Sequence, residues 1–278
     1  MLFLCLAILS SSAISVLMRL SAGKINAKLS MLSFNYLICA LLGGGYAGFQ
    51  LYCPQVSGFS FAVGLGVVAG IFFLGGFVLF QWNTAKNGIV LSSVFMKLGL
   101  LVPMLLSVVL FHELPTFNQI LGFCIAIAAI VLINFSGSNV GGRFRWQLLA
   151  MLILCGGSDA MSKVFKVFGP EALSNQFLFY TFAFALLLCI GLVIYKKERP
   201  GIREFLFGAA IGIPNFFAAK FLLLSLKDLP AVVVFPSFSI ATMLLATLAG
   251  VLFFRERLEK LQWLAVFFII IALLLLNI

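Results

Sequence analysis

The chain predicts an all-α integral membrane protein, with ten transmembrane helices arranged as two inverted five-helix repeats. Three observations carry this prediction. Of the 278 residues, 63% are hydrophobic and only 9% are charged. Water-soluble domains carry roughly a quarter charged residues, so this chain has too little polar surface for water, and a bilayer is the solvent that tolerates it. The apolar residues fall into ten runs separated by short connectors, each near the ~20 residues that a spanning helix needs. Finally, the stretch VVLFHELPTFNQILG, beginning at Val108, is echoed by VLFFRERLEKLQWLA, beginning at Val251. Glu113 aligns with Glu256 and Gln119 with Gln262, both at an offset of 143 residues.

The ten runs follow in order. The first, 2–19, has no basic region before it and reads as a spanning helix rather than a cleavable signal peptide. The second, 30–51, holds Asn35 and Tyr36 and ends before CPQVSG at 53–58, a turn-forming composition. The third, 59–81, carries Gly64, Gly66, Gly70, Gly75 and Gly76, which suits close approach of a neighbouring helix. Beyond it lie Asn83 and Trp82, the latter read as an interfacial anchor. The fourth, 88–111, contains Ser92, Ser93, Lys97 and Pro103. The fifth, 117–135, is nearly featureless after Gln119 and precedes SGSNVGG at 136–142.

The sixth run, 145–167, includes Asp159 and Lys163, and the seventh, 172–194, includes Asn175 and Tyr180 before KKERPG at 196–201. The eighth, 203–226, holds Pro214, Asn215 and Lys220. The ninth, 230–253, holds Pro236, Ser237 and Ser239, and the tenth, 261–277, is apolar after Gln262. Runs such as LLAMLILC and FFIIIALLLL do not alternate in polarity, which excludes a β-barrel.

The offset equals five spans with their connectors. Upstream, Asn87-Gly88-Ile89-Val90 aligns with Pro230-Ala231-Val232-Val233, and downstream Asn134 aligns with Asn277. The repeats are therefore placed at 1–135 and 145–278. An odd number of spans per repeat turns the second copy upside down in the membrane, an arrangement that permits alternating access around a site at the repeat interface.

Charge placement gives orientation. Thirteen of the 18 Lys and Arg residues lie in connectors that follow odd-numbered spans, and only Lys166 and Lys227 lie in those that follow even-numbered spans. Positive residues near span ends are retained in the cytoplasm. The odd connectors are thus expected inside and both termini outside, in a multi-pass protein of the inner membrane. With the basic residues confined to short gaps, the +10 net charge does not form the wet basic face of a nucleic-acid binder. The six cysteines have neither disulfide nor metal spacing. No cofactor or metal is expected. The oligomeric state is left as monomer or homodimer.

A charge inside a span costs about 2.5–3.5 kcal/mol, so Lys97, Asp159, Lys163 and Lys220 stand out. Lys97 lies mid-span without a local partner, while Lys163 and Lys220 lie nearer span ends and can snorkel. Asp159 and Lys163, four residues apart, share a helix face and can form a salt bridge or a coupling site. Interior prolines at 103, 214 and 236 are expected to kink their helices. Broken helices at membrane depth line protein or a cavity, which places the cavity among spans 3, 4, 8 and 9. The substrate-binding candidates are Lys97, Lys220, Asn83, Asn215, Ser93, Ser239, Tyr36 and Tyr180. Glu113 and Glu256 lie at the interface and read as helix-start charges, and His112 as solvated. A single His and one intramembrane acid cannot furnish an enzyme's acid–base or nucleophile set.

Five plus five spans, a Glu-bearing turn after the fourth and ninth, and the runs LKDLPAVVVFPSFS at 226–239 and FFRERLEKLQWLA at 253–265 resemble the drug/metabolite transporter superfamily, more narrowly the EamA-type permeases. The first copy departs from the pattern, since HELP at 112–115 lacks the basic residues of RERL at 255–258. The resemblance implies a secondary transporter of a small polar metabolite, an amino acid or organic anion, working as an exporter. It also implies that spans 5 and 10 are peripheral. Three lysines against one aspartate within the spans favour an anionic or zwitterionic substrate. The alternatives are a multidrug or organic-cation exporter, which calls for an acidic aromatic pocket, and a translocator of lipid phosphates.

Overall fold

The computed structural model describes residues 1–21, 23–87, 95–96, 98–135, 146–254 and 260–276. No strand occurs among them. The helices are α1 (Leu2–Ser21), α2 (Lys28–Tyr46), α3 (Phe59–Asn87), α4 (Leu101–Phe111), α5 (Phe117–Phe135), α6 (Trp146–Phe168), α7 (Ser174–Tyr195), α8 (Ile202–Ser225), α9 (Ala231–Phe254) and α10 (Lys260–Leu276). A 3₁₀ turn, Leu98–Leu100, leads into α4, and another, Glu171–Leu173, leads into α7. Seven of these segments are long and apolar enough to cross a membrane, and α4, α5 and α10 contain shorter apolar stretches. The chain is a multi-pass membrane protein.

Two boundaries differ from those the hydropathy predicts. α2 stops at Tyr46 rather than at residue 51. Gly48 takes a left-handed conformation (φ 62°), the Phe49 N–H donates to the Gly44 carbonyl, and the Gly48 N–H donates to that of Gly45. This is the Schellman ending, which closes a helix whatever the hydropathy of the residues beyond. α7 ends in the same way, with the Glu198 N–H donating to Val193 and the Lys197 N–H to Ile194, but here the left-handed residue is Lys197 (φ 53°). α3 instead runs on to Asn87, because QWNTAKN contains no breaker.

The chain divides into two compact units, with cuts inside α3 after Leu74 and inside α6 after Ala160. Each unit draws helices from both halves of the sequence. In the first (1–74 and 161–227), α1 packs along α8, and α2 packs along α7 and α8. Two of its crossings are built alike. A Cβ at Gly66 of α3 would meet the Phe177 carbonyl, the Tyr180 Cβ and the Thr181 nitrogen of α7 at 3.0–3.2 Å. A Cβ at Gly208 of α8 would meet the Met31 carbonyl, the Phe34 Cβ and the Asn35 nitrogen of α2 at 2.5–3.2 Å. One turn on, Gly70 faces the Thr181 carbonyl and Phe184, and Gly212 faces the Asn35 carbonyl and Ile38. The glycines are related by an offset of 142 residues and their partners by 146. Only glycine lets the backbones approach this closely.

In the second unit (75–160 and 228–278), α5 packs along α10, and α9 contacts α4, α5 and α10. Phe123, Ala126 and Ala129 of α5 join Ile269, Ala272 and Leu276 of α10 in its buried core. Their opposite faces expose Ile120, Leu121, Phe267, Ile270 and Leu274, as lipid-facing helices do. α5 begins with a capping box: the Gln119 N–H donates to the Thr116 hydroxyl, and the Thr116 N–H donates to the Gln119 side chain. The Glu113 carboxylate accepts the Ala231 N–H at 2.9 Å and so serves the start of α9.

Candidate functional site

The polar chemistry that the structure brings together lies on α2, α6, α7 and α8 of the first unit. Its scaffold is fixed by carboxylates. The start of α2 leaves backbone N–H groups without helical partners. Glu204 accepts from Asn26 (3.1 Å) and Ala27 (3.4 Å), and Glu198 accepts from the Ser30 N–H (2.9 Å) and hydroxyl. Glu204 is only 8% exposed, so little water competes with it.

Midway along α2 and α8 the sequence places polar groups at the glycine crossing. The Asn215 amide donates to the Asn35 side-chain carbonyl at 3.2 Å. The Cys39 thiol donates to the Gly212 carbonyl at 3.2 Å. Pro214, inside α8, has no N–H for the carbonyl one turn back. Asn35 and Cys39 are fully buried, and the bonds join helices more than 170 residues apart in sequence.

Farther along α8, Lys220 stands over the ring of Tyr46 at the end of α2. Its Nζ lies 3.0 Å from the ring centroid and 5.8 Å from that of Phe216. A cation over an aromatic face is stabilised by about 0.5–2 kcal/mol, which offsets part of the cost of a charge at this depth. Tyr46 stacks on Phe216, Phe216 adjoins Phe182, and Phe182 stacks on Tyr36, so an aromatic floor runs from Tyr36 to the lysine. Lys220 also lines a cleft of about 410 Å³, open mouth included, between the ends of α6, α7 and α8. Lys166, Lys227, Glu171, Ser174 and Asn175 line it too. Glu171 is the one carboxylate among the lining residues, and it forms an ion pair with Lys227.

The other predicted residues are distributed as follows. The Tyr180 hydroxyl donates to the Leu51 carbonyl at 3.0 Å, and Tyr36 is packed in the core at 2% exposure, so both serve the α2–α7 scaffold. In the second unit, Asn83 is fully buried and donates to the carbonyls of Leu79 and Gln147, and Ser239 on α9 is half-buried. Asp159 is half-buried on α6. Lys163 is buried at 5% exposure rather than extended toward an interface. Pro103 falls in the first turn of α4, directly after the 3₁₀ turn, where its missing N–H costs no helical bond. Pro236 lies inside α9. Lys97, Ser92, Ser93 and Glu256 lie outside the described residues. Among the described residues, the buried hydroxyls of Ser107 and Thr242 have no hydrogen-bond partner.

Sequence reasoning missed Tyr46, Glu171, Glu198 and Glu204. Only Glu204 had a local signal, since an acid three residues after Gly201 at a helix start is a capping position.

Comparison with known proteins agrees with this architecture. An uncharacterized protein of Haemophilus influenzae is 25% identical over 280 residues, covering 96% of this chain and 94% of its own. The crystal structure of another protein superposes with a TM-score of 0.75 at 16% identity, over 99% of this chain and 94% of its own. That likeness shows a shared fold. Residues 145–278 match the EamA-like transporter family, and this segment of the chain is similar to its members.

Proposed function

We propose that the protein is a secondary transporter that exports a small anionic or zwitterionic metabolite, an amino acid or organic anion, by alternating access of two inverted halves. The observation that carries the substrate class is Lys220. It lies within a spanning helix and is held against the ring of Tyr46. An amine so placed has hydrogen-bond donors left for a ligand, and a substrate carboxylate completes its coordination. The paired crossings of α3 on α7 and α8 on α2, built from glycines and partners at matched spacings, support the inverted repeat. The family supports transport. The lysine bias supports insertion in the inner membrane with both termini outside.

The test is counterflow in liposomes with labelled amino acids, carboxylates, a sugar phosphate and a quaternary amine, using Lys220→Ala and Lys97→Ala beside the unaltered protein. Anion or zwitterion exchange that falls at least tenfold in Lys220→Ala supports the reading. Exchange of the quaternary amine, indifferent to both lysines, overturns it in favour of a cation exporter.

A further inference from the structure

We infer that the cleft between the ends of α6, α7 and α8 is an anion-binding site that takes one carboxylate or phosphate group. Lys166 and Lys220 hold it, and Lys227 joins when it leaves Glu171. The inference deepens the transport reading by naming where an acidic group docks at one mouth of the protein, and it rests on that reading for its purpose.

Three observations converge on the cleft. The first is the distribution of cations. Of 18 Lys and Arg residues, only Lys166, in the last turn of α6, and Lys227, just after α8, lie at or beyond the C-terminal ends of even-numbered spans, and both line this cleft together with Lys220. A side otherwise stripped of positive charge has collected what remains at one place. The second is the deficit of acid. The single lining carboxylate, Glu171, pairs with Lys227 and is also attracted by Lys166, so three lysines share one acid and positive charge exceeds negative among the lining residues.

The third is a contrast between matched helix starts. At the start of α2 the carboxylates of Glu198 and Glu204 accept from the free backbone N–H groups, whereas Glu171, in the turn leading into α7, is paired with Lys227. α7 is the helix that matches α2 at an offset of 146 residues, and it starts on the cleft. The connector between α2 and α3, which stands where the Glu198-bearing connector stands in the other copy, reads YCPQVSG and holds no acid. The positive end of a 22-residue helix then adds to the attraction for an incoming anion.

A free metabolite anion and the phosphate of a lipid headgroup share this chemistry, and the experiment separates them. Binding of inorganic phosphate, succinate and tetraethylammonium is measured by calorimetry on the purified full chain in neutral detergent. The measurement is repeated with Lys166→Gln, Lys227→Gln and the double variant, each checked for an unchanged melting temperature. In parallel, the chain is placed in nanodiscs of phosphatidylcholine with and without phosphatidylglycerol, and the co-purified lipid is quantified.

The expected result is saturable binding of phosphate or succinate, weakened about tenfold per lysine, which corresponds to about 1.4 kcal/mol, with no binding of tetraethylammonium. Lysine-dependent enrichment of phosphatidylglycerol, in place of soluble-anion binding, supports the site with a headgroup as its occupant. Absence of both overturns the inference, as does anion binding indifferent to the two substitutions. Counterflow with the same variants keeps the two ideas apart. Lysine-dependent binding without any counterflow sinks the transport reading and leaves the site standing.

Discussion

Replacing Gly208 or Gly70 by alanine should destabilise the first unit, whereas the same change at Gly64 should not. A Cβ at Gly208 would lie 2.5 Å from the Met31 carbonyl and 2.6 Å from the Phe34 Cβ, and one at Gly70 would lie 2.6 Å from the Thr181 carbonyl. Ordinary contact begins at 3.4 Å, so each falls short by about 0.8–0.9 Å, mostly against rigid backbone. The helices must separate, and overpacking of this kind costs about 1–3 kcal/mol. Alanine returns up to about 1 kcal/mol of helix propensity, leaving a net loss of about 1–2 kcal/mol. At Gly64 nothing lies within 4 Å, so only the propensity gain remains.

The assay follows from the cysteines. Cys39 and Cys189 are fully buried on α2 and α7, the two helices that receive the glycines. With Cys5, Cys53, Cys124 and Cys155 changed to Ser, a thiol-reactive dye in mild detergent reports melting at those crossings. Gly208→Ala and Gly70→Ala should both lower the midpoint, and Gly64→Ala should hold or raise it. Equal midpoints for all three would refute the close-approach argument, and a loss at only one crossing would refute their equivalence.

Further outcomes follow from single contacts. Lys197 occupies a left-handed position (φ 53°) where α2 uses Gly48, so Lys197→Gly should stabilise by about 1 kcal/mol, read by the same thiol melt. Glu204→Ala removes the acceptor of two backbone N–H groups at a buried position and should cost about 1–3 kcal/mol, while Glu171→Ala, which breaks an exposed pair, should leave the midpoint nearly unchanged. Thr116→Val deletes the hydroxyl half of the α5 capping box and should cost about 1 kcal/mol, measured as a shift in the detergent-unfolding midpoint followed by circular dichroism.

What the sequence disclosed divides along physical lines. Hydropathy over ~20 residues reports transfer into lipid, which is additive along the chain, so the helices are where that signal puts them. Their ends are set by single backbone conformations. Gly48 stops α2 although Phe49, Leu51 and Tyr52 continue the apolar run. Gln119 attracted attention through repetition alone, and its capping role with Thr116 emerges from the structure. Lys220 was visible as a charge in an apolar helix, but its partner Tyr46 was not. A contact between helix faces 174 residues apart leaves no local trace, and the same holds for Glu198 at the start of α2.

The two matched crossings, α3 on α7 and α8 on α2, supply a way to separate scaffold from chemistry within one chain. Features present at both, such as the glycine pairs, are what close packing of these helices needs. Chemistry that acts on a substrate need not be duplicated, so it should lie where the crossings differ. The offset of 142 that relates the glycines brings Lys220 onto Val78 and Asn215 onto Phe73. The offset of 146 that relates their partners brings Tyr46 onto Leu192 and Asn35 onto Thr181. The lysine–tyrosine pair and the asparagine pair therefore have apolar or weakly polar counterparts. A charge that costs about 2.5–3.5 kcal/mol to insert is absent from the crossing that packs the same way, so the packing does not require it. Lys220→Val, which installs the residue at the matching position, should accordingly preserve the melting midpoint while abolishing anion exchange. Loss of both together would return Lys220 to the scaffold.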